Sequence, residues 1–412
     1  MSRLSVESVF TPRKSEVNES MYVLRPQHEK MLKRALRRNS HTLIFGESGN
    51  GKSWLYKKVL DELRTKYVVA NCANASRLGS ITEEICNSII KSGHVTKVGF
   101  SEEKMAEISA YFAKGNIKSN NSYQVHHDEP LLKAFKIFDE IVSDKKIVVL
   151  DNLESIFSSE CLMAELADII ILLDDNRYAE CNVNLLIVGV PSGVLQYFRD
   201  IKNSESIANR ITEIAKVGGL DEIQIRDIIE TGFGLLDFKF SPLDLTAISK
   251  HILNVTLGSA QRVHEYCETL AYELEESAWS YNPNMLQDAD QAWLVQGFRH
   301  SYQLIELHLN NRDTTVARRN QVIFCIARVR VHQFDANVIE TLIKEYFPKT
   351  IPETHMGVGA ILRALSNDKS PLLNRVDNSG FYYIRDSRYL MCIRVMLYID
   401  ASGKVAKKNF TM

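Results

Sequence analysis

The chain has 412 residues, 45% hydrophobic and 25% charged, an ordinary globular composition that supplies several apolar cores and excludes a disordered, collagen-like or disulfide-scaffold protein. Fifty Lys and Arg against 51 Asp and Glu leave a formal net charge of -1, so bulk charge does not carry the chain onto nucleic acid or an anionic membrane. The balance is uneven: from Arg312 onward 16 Lys and Arg face 9 Asp and Glu, leaving 34 against 42 before it, so a basic C-terminal module follows an acidic body.

Seven Cys, odd in number and without a CxxC pair, sit mostly in apolar runs, which predicts reduced, buried thiols. No 18-residue apolar run occurs and the first twenty residues lack the apolar core of a signal peptide, so the expectation is a soluble, cytoplasmic chain without membrane contact.

Residues 1–20 are polar and read as a loosely held arm. Helical spacing follows over Arg25 to Leu36, then the apolar run His41 to Phe45, a glycine-rich turn, and an amphipathic stretch from Ser53 to Lys66, which together predict strand, loop and helix. Further buried strands are expected at Tyr67 to Ala70, Ile147 to Leu150 and Leu185 to Val188, with helical patterns between them. This alternation predicts an α/β parallel sheet sandwiched by helices. The second half of the polar segment Val98 to Glu129 reads as a surface insertion. Its His126 and His127 are adjacent rather than at metal-ligand spacing.

From Asp221 the strand signal stops. Three helical patterns (Asp221 to Gly232, Ser241 to Asn254, Ser259 to Ser277) predict a small all-α domain, and one further helix over Asn284 to Leu309 leads to the basic module. There, helices at about Asn320 to Val329, Asp335 to Tyr346 and His355 to Leu365 precede two β-like segments, Leu372 to Val376 and Gly380 to Arg385. Three short helices and a hairpin predict a winged helix-turn-helix.

Gly46-Glu47-Ser48-Gly49-Asn50-Gly51-Lys52-Ser53 matches GxxxxGK[ST] in full, between a strand and a helix. The glycines let backbone N–H groups approach phosphate oxygens and the helix start, continuing through Trp54, adds a favourable dipole. Lys52 reaches the β and γ phosphates and the Ser53 hydroxyl can ligand Mg²⁺. ATP and Mg²⁺ are therefore the expected ligands. The second magnesium carboxylate is expected at Asp151, which ends the apolar run Ile147 to Leu150. The next position is Asn152, an amide that can orient a water but cannot take its proton at neutral pH. Glu154, two residues on, is either the substitute base or a solvated charge at a helix start.

The order of these elements resembles the AAA+ ATPases of the initiator type, the group of origin-recognition and replication-licensing ATPases with related transposition and signalling members. The resemblance spans about residues 22–395 and rests on the phosphate loop, the apolar run ending in Asp151-Asn-Leu-Glu154, Asn209-Arg210-Ile211 before a Gly-Gly-Leu turn, Gly258-Ser-Ala-Gln-Arg262, and the terminal winged helix. It implies an arm over 1–20, an ATPase core over 21–219, a helical lid over 220–282, a connecting helix over 283–311 and a winged helix over 312–412. It also implies that Arg210 is an arginine finger reaching a neighbouring copy's nucleotide, which makes the chain a homo-oligomer. Arg262 is implied as a γ-phosphate reader in the same chain. Ser192 takes the place of the polar tip of the fourth strand, and Arg25 with Glu29 corresponds to the segment bordering the adenine.

In the basic module, the third helix offers His355 and Arg363, with Lys369 just beyond, and the wing region offers Arg375, Arg385 and Arg388; Arg318, Arg319, Arg328 and Arg330 add to the positive field. Contact with DNA phosphates by several of these is one expectation. The other is a docking module for an effector or partner protein, in which the cations complement the acidic body.

Overall fold

This computed structural model describes residues 3–38, 40–91, 129–141, 145–189, 204–310, 316–353, 355–376, 379–408 and 410. His126, His127, Ser192, Thr354, Asp377 and Asn378 lie outside the described residues. The chain divides into two compact units, one of Lys14–Gly218 and one of Met1–Arg13 with Gly219–Met412.

The first unit is built on five parallel strands, β1 (His41–Phe45), β2 (Lys66–Asn71), β3 (Lys146–Asp151), β4 (Val183–Gly189) and β5 (Ile211–Glu213), in the order β2-β3-β4-β1-β5. Helices α1 (Pro26–Arg37), α2 (Lys52–Glu62), α3 (Cys72–Leu78), α4 (Ile81–Lys91), α5 (Pro130–Ile141), α6 (Glu160–Leu172) and α7 (Ser204–Ala208) complete it. The strands read as unbroken apolar runs because both faces are covered. Val148, Leu150, Leu185 and Ile187 pack on the α4, α5 and α6 side. Their alternating neighbours Ile147, Val149, Leu186 and Val188 pack on the α1 and α2 side. His41, Thr42, Lys146 and Asn184 are polar residues carried inside this layer. Lys146 is fully buried against Asp139, and His41 accepts the Leu185 N–H at 3.1 Å through Nδ1, with burial holding its imidazole down at about 4.

The second unit opens with α8 (Glu222–Leu235), α9 (Pro242–Thr256) and α10 (Ala260–Glu276). Two of the starts are capped: Asp221 and Gln224 form a capping box on α8, and Ser241 caps α9 ahead of Pro242. The single connecting helix expected over Asn284 to Leu309 is two, α11 (Met285–Gly297) and α12 (Arg299–His308), with Phe298 between them. The break lets Phe298 pack on Trp293, ring centroids 4.4 Å apart.

The C-terminal part has α13 (Arg318–Ile326), α14 (Ala336–Tyr346) and α15 (Val358–Asn367), then the hairpin of β6 (Leu373–Arg375) and β7 (Tyr382–Ile384). A Phe334 to Tyr382 bridge adds a third edge to the hairpin, giving the winged-helix arrangement. The wing strand ends at Ile384, earlier than its alternating sequence suggests, because Asp386 caps a further helix, α16 (Ser387–Met396). A last hairpin, β8 (Leu397–Ile399) with β9 (Val405–Lys407), follows it and has no counterpart in the sequence reading.

Residues 3–13 are packed rather than loose. Val6, Val9 and Phe10 are buried, the Phe10 ring lies 5.3 Å from that of Phe233, and the Tyr272 hydroxyl donates to Glu7 at 2.9 Å. In the first unit the chain from Lys14 onward is held against α2: Trp54 Nε1 donates to the Lys14 carbonyl at 3.1 Å and Lys57 to that of Ser15 at 2.6 Å. The polar composition of the arm hid the apolar positions 6, 9 and 10, which fall on one face of a single helical turn. Among the described residues no helix is long and apolar enough to cross a membrane.

Candidate functional site

The phosphate loop leaves the carboxyl end of β1 and enters α2, where Gly51 caps the helix with φ +83°. Gly46 is required by close approach: a Cβ there would stand 2.3 Å from the Val217 carbonyl oxygen. The loop is held from behind. Asn50 Nδ2 donates to the Val217 carbonyl at 3.1 Å. Arg25, 8% exposed, donates to the Asn50 carbonyl at 3.0 Å and to that of Gly218 at 2.8 Å. Glu29 accepts the Arg25 backbone N–H at 2.8 Å and the Tyr22 hydroxyl at 3.0 Å. Arg25 and Glu29, expected beside the adenine, thus form a clamp on the loop backbone.

Lys52 donates through Nζ to the carbonyls of Gly46 at 2.8 Å and Glu47 at 3.0 Å. Burial lowers its pKa, while Glu154, Asp151 and Glu47, in that order of influence, oppose the shift. Three carboxylates, one in the loop and two at the end of β3, thus act on one ammonium. Ser53 lies in the first turn of α2, and Ser48 and Gly49 form the loop's outer turn, with Ser48 exposed. Glu47 also pairs with Lys216 at 3.3 Å.

Asp151 ends β3. Its Oδ1 accepts the Asn152 N–H at 2.9 Å and its Oδ2 takes a longer bond, 3.3 Å, from the Tyr56 hydroxyl. Oxygen lone pairs remain on a half-buried carboxylate, and with the Ser53 hydroxyl they make the hard-oxygen donor set that suits Mg²⁺. Asn152 is left-handed at φ +59°, a conformation asparagine tolerates, and its Nδ2 donates to Asn71 Oδ1 at 3.4 Å. Glu154 is exposed in the short turn Leu153–Ile156 and contributes the largest carboxylate influence on Lys52.

Sequence reasoning missed Tyr56 and Asn71. Tyr56 stands four residues after Lys52, one helical turn along the same face, and burial followed by Asp151 pushes its phenol up, so it stays a donor. Asn71 is the β2 residue in register with Asp151. A polar side chain at the carboxyl end of a strand next to the acid strand was the available signal.

Arg210 lies at the other end of the sheet. Its carbonyl accepts the His41 N–H at 3.0 Å at the start of β1, and the phosphate loop follows the end of that strand. Its guanidinium pairs with Asp174 at 2.5 Å and donates to the Ser206 carbonyl at 2.6 Å and to the Ser206 hydroxyl. Arg262 belongs to the second unit, where it donates to Glu265 at 2.5 Å and lies 5.0 Å over the Phe298 ring.

In the winged helix, Arg363, Lys369, Arg375 and Arg385 are exposed, as is Arg330. His355 is exposed but precedes α15, which starts after Gly357 at φ +69° rather than at His355. Gly357 cuts the helix short and leaves His355 Nδ1 accepting the Gly357 N–H at 3.2 Å. The other arginines of the module are used internally. Arg318 donates to Gln321 at 2.8 Å and to the Thr350 carbonyl at 2.5 Å, and Arg319 to the His308 carbonyl at 2.7 Å. Arg328 lies 3.2 Å over the Phe324 ring. Arg388 holds Asp386 through both its Nε and Nη2. Among the described residues no group of three or more His, Cys, Asp or Glu gathers to hold a metal, and six of the seven Cys are buried, none in a disulfide.

Residues 34–198 match the family model described as an AAA domain. Among curated proteins none matches the chain. Among solved structures, the Walker-type ATPase paby2304 of Pyrococcus abyssi is 16% identical, with 94% of this chain and 99% of that one covered at a TM-score of 0.52. The ORC2 protein of Aeropyrum pernix, in its ADP form, is also 16% identical, with 94% and 96% covered at a TM-score of 0.52. Residues 34–198 thus carry an AAA domain, and the chain shares its fold with these two structures.

Proposed function

We propose that the chain is an ATP-binding, slowly hydrolysing switch that assembles with further copies through its nucleotide site and engages DNA through the winged helix. One observation carries this reading: the helix that starts at Lys52 is tied to the acid ending β3, since Tyr56, one turn after Lys52, donates to Asp151 at 3.3 Å. Loop N–H groups from Gly46 to Ser53 and the amino end of α2 bind phosphates, and Lys52 neutralises the β and γ oxygens. Ser53 and Asp151 would hold Mg²⁺, which when bound offsets the charge of the phosphates. Tyr56 keeps the Asp151 carboxylate oriented. Glu154 takes the proton of the attacking water and Asn152 orients that water, a division that supports slow turnover because the acid is displaced from the usual position.

Arg210 supports assembly. β1 separates it from its own loop by about 13 Å, four steps of a strand, so its charge serves a neighbour's γ-phosphate. The exposed Arg330, Arg363, Lys369, Arg375 and Arg385 support phosphate contact by the winged helix.

The test is sizing with ATP or ADP alongside DNA binding. The parent chain is expected to grow in size and gain DNA affinity with ATP, and the Lys52→Ala chain to do neither. A Lys52→Ala chain that assembles and binds DNA like the parent overturns the reading. Arg210→Ala is expected to bind ATP but not hydrolyse it, and mixing it with Lys52→Ala, which brings an intact Arg210 to the intact loop, is expected to restore turnover. A second reading, an ATP-gated scaffold whose winged helix docks a protein effector, is favoured by Arg318, Arg319 and Arg328 being spent inside the module. Absence of any DNA affinity at low salt decides for it.

A further inference from the structure

Within the second unit, a cleft of about 380 Å³ lies between α9 and α16 and is lined by Lys250, Leu253, Asn254, Leu257 and Arg394. The first four recur at i, i+3, i+4 and i+7, one stripe along the last turns of α9. Arg394 enters from α16. Its Nε donates to the Ala327 carbonyl at 2.6 Å and its Nη1 to the Asn254 carbonyl at 2.9 Å, which fixes the guanidinium. No described residue accepts from its Nη2. Beside it stands Arg328, whose guanidinium burial, and then Arg394, push down to about 10.

Several partly buried cations of the two units are matched to acids. Lys146 has Asp139, Arg210 has Asp174, Arg262 has Glu265 and Lys408 has Asp290. Among the described residues, Lys250, Arg328 and Arg394 form no ion pair at all. Capping the carboxyl end of α9 accounts for Nε and Nη1 of Arg394. It requires neither Lys250 nor a second guanidinium beside the first, and like charges in a partly buried setting repel one another unless an anion enters.

We propose that this cleft is an anion site for the phosphate of a small organic phosphate. Arg394 presents Nη2 and Lys250 its ammonium to the phosphate oxygens, Arg328 supplies charge from behind, and Leu253 and Leu257 cover the apolar body of the ligand. The size suits a mononucleotide, since small-ligand clefts begin at about 300 Å³, and a guanidinium held by its other donors is pre-organised for a phosphate.

The test uses the full chain with Lys52→Ala, so that the phosphate loop is weakened and the outcome stands apart from the ATP reading. Calorimetric titration is made with uridine monophosphate and with inorganic phosphate. Saturable binding of uridine monophosphate is expected, weakened about tenfold by Arg394→Gln and about threefold by Lys250→Gln, and weaker again in inorganic phosphate, which lacks the apolar body. Lys250 is exposed and caps nothing, so Lys250→Gln decides the matter if Arg394→Gln unfolds. Three results overturn the proposal: no response to either probe up to about 10 mM, binding that Lys250→Gln leaves unchanged, or binding of short duplex DNA alone, which would assign these cations to a nucleic-acid strand.

Discussion

At the phosphate-loop end of the sheet, Lys52 feels the charges of Glu154, Asp151 and Glu47. In the C-terminal module, Arg318, Arg319 and Arg328 turn instead to backbone carbonyls and a phenylalanine ring of their own fold. Both regions are rich in charge, yet only the first uses it where the sequence places it. The loop motif has a geometry, eight consecutive residues between a strand and a helix, so covalent spacing sets the ammonium at the carboxyl edge of the sheet, where the parallel strands bring the acid of β3. A surplus of cations has no geometry of its own. Long basic side chains lay their stems on apolar surface and find acceptors nearby, and the net charge of the module overstates what it can present to a partner.

The largest effect that tests this contrast is expected at the acids. Glu154→Gln should lower turnover by about a hundredfold or more with ATP affinity preserved, while Asn152→Ala lowers it less than about threefold. The reverse ranking in steady-state rates would return the catalytic role to position 152.

The pH dependence of stability separates the two units next. His41 in the sheet and His264 on α10 are both buried, and burial holds each imidazole down at about 4, below the ordinary 6.5. Each is neutral in the fold where the unfolded chain already binds a proton. Stability is therefore complete above pH 6.5 and falls as pH drops from 6.5 towards about 4, by about 3 kcal/mol for each histidine. Urea titrations between pH 7 and 4 should show this loss, and His264→Phe should remove the share of the second unit alone.

A smaller effect is expected at the buried cation of the basic module. Arg328→Met should change thermal stability by about 1–2 kcal/mol, through its packing on Phe324, and leave the salt dependence of DNA binding as it was. Smallest in stability, within about 0.5 kcal/mol, is Arg363→Gln. Its mark should appear in the log–log slope of DNA affinity against salt, which is expected to fall by about 1. If Arg328→Met moved the slope and Arg363→Gln did not, the division of the module into spent and free cations would be wrong.

Much of the frame was legible from residue order. The apolar runs at 41–45, 147–150 and 185–188 became β1, β3 and β4, and the helical patterns after Asp221 became α8, α9 and α10 with shifts of a few residues at their ends. The candidate site was legible wherever function follows from consecutive residues, as at Gly46 to Ser53 and Asp151 to Glu154. It was not legible where the partner is distant in sequence. The clamp of Arg25 on Asn50 and Gly218 spans 193 residues for one of its bonds. The pairing of Tyr56 with Asp151 spans 95, and neither leaves a local pattern.

The α/β frame, the glycines of the loop and the acid at the end of β3 were determined by the sequence itself, because strand periodicity, glycine's missing Cβ and covalent spacing act over a few residues. Tertiary structure alone decided which charges are free. It buried Phe10 of an arm that reads as polar, set Arg25 as a clamp on the loop backbone, and brought Lys250 and Arg394 to one cleft. Those outcomes depend on which surfaces meet, and residues tens or hundreds of positions apart settle that through packing and desolvation.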